Sequence, residues 1–133
     1  MAQHDVEILR GAFEAASEGD AGALLRVSDP AVRVYPRPEE PGVRDVYEGW
    51  DGAMEYAVNW FGQWEAYEFE PVRILDAGEQ ILIVLRERGR MEASGIEIEA
   101  EFSHSFRMRD GLIVEWRMYD SYEEAAEAVG LTD

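Results

Sequence analysis

The 133-residue chain predicts an α+β domain, with three N-terminal helices packed in the concave face of a curved, mostly antiparallel sheet. Three observations predict it. The first half carries three amphipathic helical stretches, around Leu9, Leu24 and Tyr56. The second half alternates strand patterns with short glycine turns at Ala77-Gly78-Glu79 and Arg109-Asp110-Gly111. The third is the run from Ile96 to Met108. There Ile96, Ile98, Ala100, Phe102, His104, Phe106 and Met108 alternate with Glu97, Glu99, Glu101, Ser103, Ser105 and Arg107. A period of two this regular gives a long strand with one apolar and one polar face. A sheet of this length cannot close on itself, so helices fill its hollow and leave a cone-shaped pocket. A single domain over residues 1–133 is expected.

Taken in order, Asp5 is placed to cap a helix from Val6 to about Ser17, with Val6, Leu9, Phe13 and Ala16 on one stripe. Gly19 ends it. Asp20 is placed to cap a short second helix through Leu24, Leu25 and Val27, which Asp29-Pro30 stops. Val32–Tyr35 is a short strand, and Pro36–Gly42 reads as a stiff exposed loop that could serve as a lid. Asp51 is placed to cap a third helix on which Tyr56, Trp60 and Trp64 recur every four residues. That spacing fits either a helix–sheet core or an aromatic wall around a ligand.

Val72–Asp76 and Gln80–Arg88 form a hairpin. In its second strand Ile81, Ile83 and Leu85 alternate with Leu82 and Val84, so both faces are apolar. A strand apolar on both sides is covered on both sides. Helices meet one face; a second copy of the chain is expected on the outer face, giving a homodimer. The last hairpin is expected to turn through the three residues Arg109-Asp110-Gly111, pairing Phe106 with Val114, His104 with Trp116 and Phe102 with Met118. A two-residue loop would set Glu115 and Arg117 beside Phe106 and His104, which the hydrophobic pattern opposes. Ser121 to Gly130 frames a short closing helix.

Composition excludes several classes of function. Twenty-nine acids against twelve Lys plus Arg give a formal charge of −17, a field that repels phosphate backbones and anionic lipid. Neither nucleic acid nor membrane is an expected partner. No apolar run approaches the ~20 residues that span a bilayer. The opening MAQHDVEILR does not read as a secretory signal, and the chain has no Cys, so a cytoplasmic protein is expected. Two His with no metal-ligand spacing argue against a protein-built metal site, and no cofactor is expected.

His104 interrupts the apolar column. A packed histidine would bond Tyr35, Tyr56 or a buried water; a functional one opens on the pocket as a general base or a ligand-orienting group. Its expected proton partner in catalysis is Tyr35 or Asp120, the latter acting only through a substrate or water. The expected walls of a site for a hydrophobic small molecule are Phe13, Tyr35, Tyr56, Trp60, Trp64, Phe102, Phe106, Trp116 and Met118. Chemistry of that kind is proton transfer on an apolar carbonyl compound: a cyclisation, isomerisation or dehydration. The alternative is a dimeric small-molecule binder without chemistry.

Three motifs carry a resemblance: VEILRGAFEAASEGDAGALL, YEGWDGAMEYAVNWF and FSHSFRMRDGLIVEWRMYDSYEEAAEAVGL. Together they resemble the nuclear transport factor 2-like superfamily, in its SnoaL-like, polyketide cyclase-like branch, over nearly the whole chain. The resemblance implies a cystatin-like or ketosteroid-isomerase-like fold. It also implies a catalytic role for His104 in its His-Ser-Phe-Arg context. Where SnoaL-like cyclases carry an acid/base Asp on the return strand, this chain has Met118. Asp120, two residues on, is the residue that would substitute, acting through substrate or water.

Overall fold

The computed structural model describes residues 2–20, 22–38 and 40–131. Its elements are α1 (Ala2–Ser17), α2 (Ala23–Arg26), β1 (Ser28–Tyr35), β2 (Tyr47–Glu48), α3 (Gly49–Phe61), β3 (Trp64–Asp76), β4 (Ile81–Met91), β5 (Glu97–Arg109), β6 (Leu112–Tyr119) and α4 (Tyr122–Val129). One curved sheet takes the order β2-β1-β6-β5-β4-β3. Only β1 and β6 run parallel; the other neighbours are antiparallel. Helix α1 packs on β3 and α3 on β1, so helices and sheet enclose a hollow between them.

The core follows the predicted periodicities. Leu9 and Phe13 of α1 meet Ile83, Phe106 and Ile113 of the sheet in one buried cluster. Helix boundaries differ from expectation. Helix α1 begins at Ala2, so Asp5 lies in its first turn and does not cap it. The cap of α2 is Gly22; Asp20 instead accepts from the Gly22 amide and pairs with Arg26. Helix α3 starts at Gly49 with Glu48 as cap, leaving Asp51 in the first turn, where a carboxylate still complements the helix dipole. Because α2 is a single turn and β1 and β2 precede α3, the N-terminal helices do not form one continuous layer of three.

Trp64 is a correction of greater consequence. Its spacing from Trp60 suggested a helix, but the helix ends at Phe61 and Trp64 opens β3. The ring lies over Gly89 of β4, where a Cβ would come within 2.6 Å of its Cε3. Glycine is what lets that indole lie flat on the sheet. Strand β3 is an edge strand with two register shifts, between Trp64 and Ala66 and between Pro71 and Arg73.

The last hairpin turns through two residues, not three. Asp110 at φ 54° and Gly111 at φ 78° both adopt the left-handed conformation that a type I′ turn requires. Arg109 pairs with Leu112 and Met108 with Ile113; Val114 is then an extra residue, and Arg107 pairs with Glu115. This bulge restores the alternation that the tighter turn would have inverted. Trp116 and Met118 therefore keep the inner face, while beyond the bulge each pairing moves by two: Phe106 opposes Trp116 and His104 opposes Met118.

The outer apolar face of β4 is covered from within the chain. Leu82 and Val84 are buried beside Ser103 and Ser105, and α4 crosses β4, β5 and β6 with Ala125 and Ala126 turned inward. Ser121 accepts the Glu124 amide at the start of α4, and Gly130 at φ 83° ends it. The expected homodimer rested on that face being bare, and its physical reason is removed. Further along, the outer face is charged. Arg86 pairs with Glu70 and Glu101, Arg88 with Glu68 and Glu99, and Arg90 with Glu65 and Glu97.

Candidate functional site

A cavity of about 420 Å³ opens between α1, α2, α3 and the inner face of the sheet. The lining is mostly apolar. Phe13 comes from α1, Tyr56 and Trp60 from α3, Phe102 from β5, and Trp116 and Met118 from β6. His104 lies among them, 8 % exposed.

The indole of Trp116 donates its Nε1–H to His104 Nδ1 at 2.9 Å. A neutral imidazole whose Nδ1 accepts must carry its proton on Nε2. Nε2 has no partner among the described residues and is not among the fully buried unpaired atoms. It therefore offers an N–H to the cavity. Burial, and secondarily the charge of Arg37, push the His104 pKa down to about 3. The ring stays uncharged through the neutral range.

Two tyrosine–carboxyl pairs stand at the cavity; Tyr56, Tyr67 and Glu87 line it, and Glu40 lies behind Tyr56. On β4, Glu87 continues the inward column of Ile81, Ile83 and Leu85, and opposes Phe69 and Ala100. It is 7 % exposed and accepts a hydrogen bond from the Tyr67 hydroxyl. Burial raises its pKa against the opposing effects of that bond and of Arg37. In the loop after β1, Glu40 accepts the Tyr56 hydroxyl at 2.8 Å, and burial raises its pKa too. Both tyrosines are pushed upward, first by burial and then by the neighbouring carboxylate. Arg37 stands between these groups, over the rings of Phe102 and Trp60 at 4.5 and 5.4 Å.

Of the expected walls, Phe13, Tyr56, Trp60, Phe102, Trp116 and Met118 line the cavity; Tyr35, Trp64 and Phe106 do not. Phe106 is wholly buried beneath it, packed on Phe13 and Trp116. Trp64 stands behind Trp60 and Tyr67, with its Nε1 buried and unpartnered. Tyr35 stacks with Arg33 and Arg117, because Val34, not Tyr35, faces inward from β1. Asp120 is exposed and faces Arg37 Nε at 3.6 Å without lining the cavity.

Sequence reasoning missed Arg37, Glu40, Tyr67 and Glu87. Glu87 was readable: it is the next inward position of an apolar column. The loop expected to be an exposed lid instead turns Arg37 and Glu40 inward, their side chains 18 % and 4 % exposed. Glu39 of that loop lies outside the described residues. No group of His, Asp and Glu suited to a metal ion forms among the described residues. No described helix is long and apolar enough to cross a membrane.

Solved structures share the fold. An NTF2-like protein from Burkholderia thailandensis E264 superposes with a TM-score of 0.78 at 22% identity, covering 93% of this chain and 95% of its own. Another NTF2-like protein, from Burkholderia pseudomallei K96243, gives 0.78 at 18% identity over 95% and 97% of the two chains. TerC, crystallised with polyporic acid, gives 0.76 at 17% identity over 96% and 98%. Identities this low establish the fold alone. No curated protein matches the chain in sequence. The SnoaL-like domain model matches residues 9–116, most of the chain, and by that match the chain belongs to the SnoaL-like family.

Proposed function

We propose that the cavity takes an apolar, carbonyl-bearing small molecule and moves a proton on it without a cofactor, in the manner of an isomerase, cyclase or dehydratase. One observation carries the reading. Two titratable groups in one apolar cavity are pushed in opposite directions, His104 down and Glu87 up. That divergence separates a neutral hydrogen-bond donor from a carboxyl whose hold on a proton is strengthened by burial. His104, expected as the base, is better suited to donate from Nε2–H to a carbonyl oxygen and stabilise the charge that develops there. Glu87 is then the proton carrier, with the Tyr67 hydroxyl steadying its carboxylate.

His104 opposes Ile83, so Glu87 lies four residues further along β4. That is roughly 13 Å of strand, which calls for an extended, conjugated substrate. The same separation favours a second reading, a binder without chemistry. The test uses α-tetralone, an enolisable apolar ketone, and polyporic acid, the compound crystallised with TerC. Binding is read by quenching of tryptophan fluorescence, and chemistry by uptake of solvent deuterium into α-tetralone. Exchange in the wild type but not in Glu87→Gln supports proton transfer. Binding without exchange supports the second reading. Absence of binding across a wider panel of aromatic ketones and quinones overturns both.

A further inference from the structure

We infer that the ligand of this cavity is an anion, an apolar oxo acid whose carboxylate docks on Arg37. The inference rests on the small-molecule reading above and narrows it to a chemical class. The carboxyls at the cavity already have partners: Tyr67 serves Glu87, Arg88 pairs with Glu68, and Tyr56 serves Glu40, which stands beside the lining. Arg37 is held more loosely. Glu40 and Asp120 form ion pairs with it through Nε at 3.8 and 3.6 Å, neither at hydrogen-bond length, and its terminal nitrogens bond no described residue.

The guanidinium carbon lies 4.5 Å from the ring centre of Phe102 and 5.4 Å from that of Trp60. The two terminal nitrogens, free of hydrogen bonds to described residues, form an edge that can take a carboxylate bidentately. Burial strengthens the preference, since the side chain is only 18 % exposed. An amine would meet the Arg37 cation, and the carboxyls within reach already hold a partner. Phe102 precedes His104 by two residues on the same face of β5, so the two docking points are about 7 Å apart along the strand. A rigid molecule with a carboxylate at one end and a carbonyl near the other satisfies both.

The test compares three probes on one ring system: 2-naphthoate, methyl 2-naphthoate and 2-naphthylmethylamine. Dissociation constants come from tryptophan quenching at pH 7.5. The wild type is expected to bind naphthoate about tenfold or more tightly than the ester, and the amine weakest. Arg37→Gln should bring acid and ester to the same affinity, while Arg37→Lys keeps part of the preference. Asp120→Asn, which removes an exposed competing carboxylate, should tighten the acid alone. Circular dichroism establishes that each variant is folded. Equal affinity for acid and ester, tightest binding of the amine, or an acid preference that survives in Arg37→Gln overturns the inference. Ester binding with no acid preference defeats this inference alone; failure of all three probes to bind defeats the cavity reading with it.

Discussion

Replacing Trp116 by Phe removes one atom pair on which the electronic state of His104 depends. The indole N–H reaches Nδ1 at 2.9 Å in a residue that is 8 % exposed. Without it, a buried lone pair has no partner, a loss of about 1–3 kcal/mol. The smaller ring adds little to that cost. Trp116 lines the cavity, so its shrinkage widens an existing opening and does not create a sealed void. A domain with an ordinary reserve of about 5–15 kcal/mol remains folded. Urea unfolding at pH 7.5 should show a lower midpoint with an unchanged slope. Imidazole nitrogen spectra give the sharper readout, because the chain has two histidines and His4 is exposed on α1. In the wild type His104 should carry its proton on Nε2 and remain neutral between about pH 5 and pH 8. In Trp116→Phe the two tautomers should mix. A wild-type proton on Nδ1, or identical His104 spectra in both proteins, refutes the account of the site.

Two further predictions follow from the same structure. The folded-state pKa of His104, about 3 against 6.5 for the free side chain, means that the unfolded chain gains a proton first as pH falls. Stability should decline below about pH 6.5, by up to ~1.4 kcal/mol per pH unit until the folded pKa is reached. Glu40 and Glu87, raised above 4.5, act with the opposite sign, stabilising the fold as pH falls towards that value. Urea unfolding across pH should show that His104→Gln removes the decline below about pH 6.5, and a decline unchanged in that variant would refute the assignment. Gly89→Ala forces a methyl to within 2.6 Å of Trp64 Cε3 and 3.0 Å of the Ala66 carbonyl oxygen. It should cost about 1–3 kcal/mol by overpacking, read as a lower thermal midpoint, and Trp64→Leu in the same background should recover much of it.

Local periodicity made the sheet legible. The alternation from Ile96 to Met108 marks β5 with its correct faces, and Trp116 and Met118 share the inner face with His104 as expected. The pairing was not legible, because a two-residue turn and a bulge at Val114 each change the alternation and together preserve it. Trp64 was misread for another reason. The four-residue spacing from Tyr56 through Trp60 runs past Gly62, where the helix ends, so Trp60 and Trp64 lie in different elements. The both-sided apolar strand signalled two coverings, yet nothing local distinguished a partner chain from the distant α4. Glu87 lay in plain sight in its column. Arg37 and Glu40 sit in a loop without periodicity, and only the folded chain brings Arg37 to the cavity and Glu40 against Tyr56.

The edge strand β3 carries a consequence of its own. Register shifts at Trp64/Ala66 and Pro71/Arg73 break its ladder at two points, and Pro71 has no amide hydrogen to offer. Glu65, Glu68 and Glu70 project from it into solvent. An incoming chain seeking to extend the sheet would meet a kinked, acidic rim with a missing rung. Crowded or partly unfolded molecules of this protein are thus guarded against stacking strand on strand along that border.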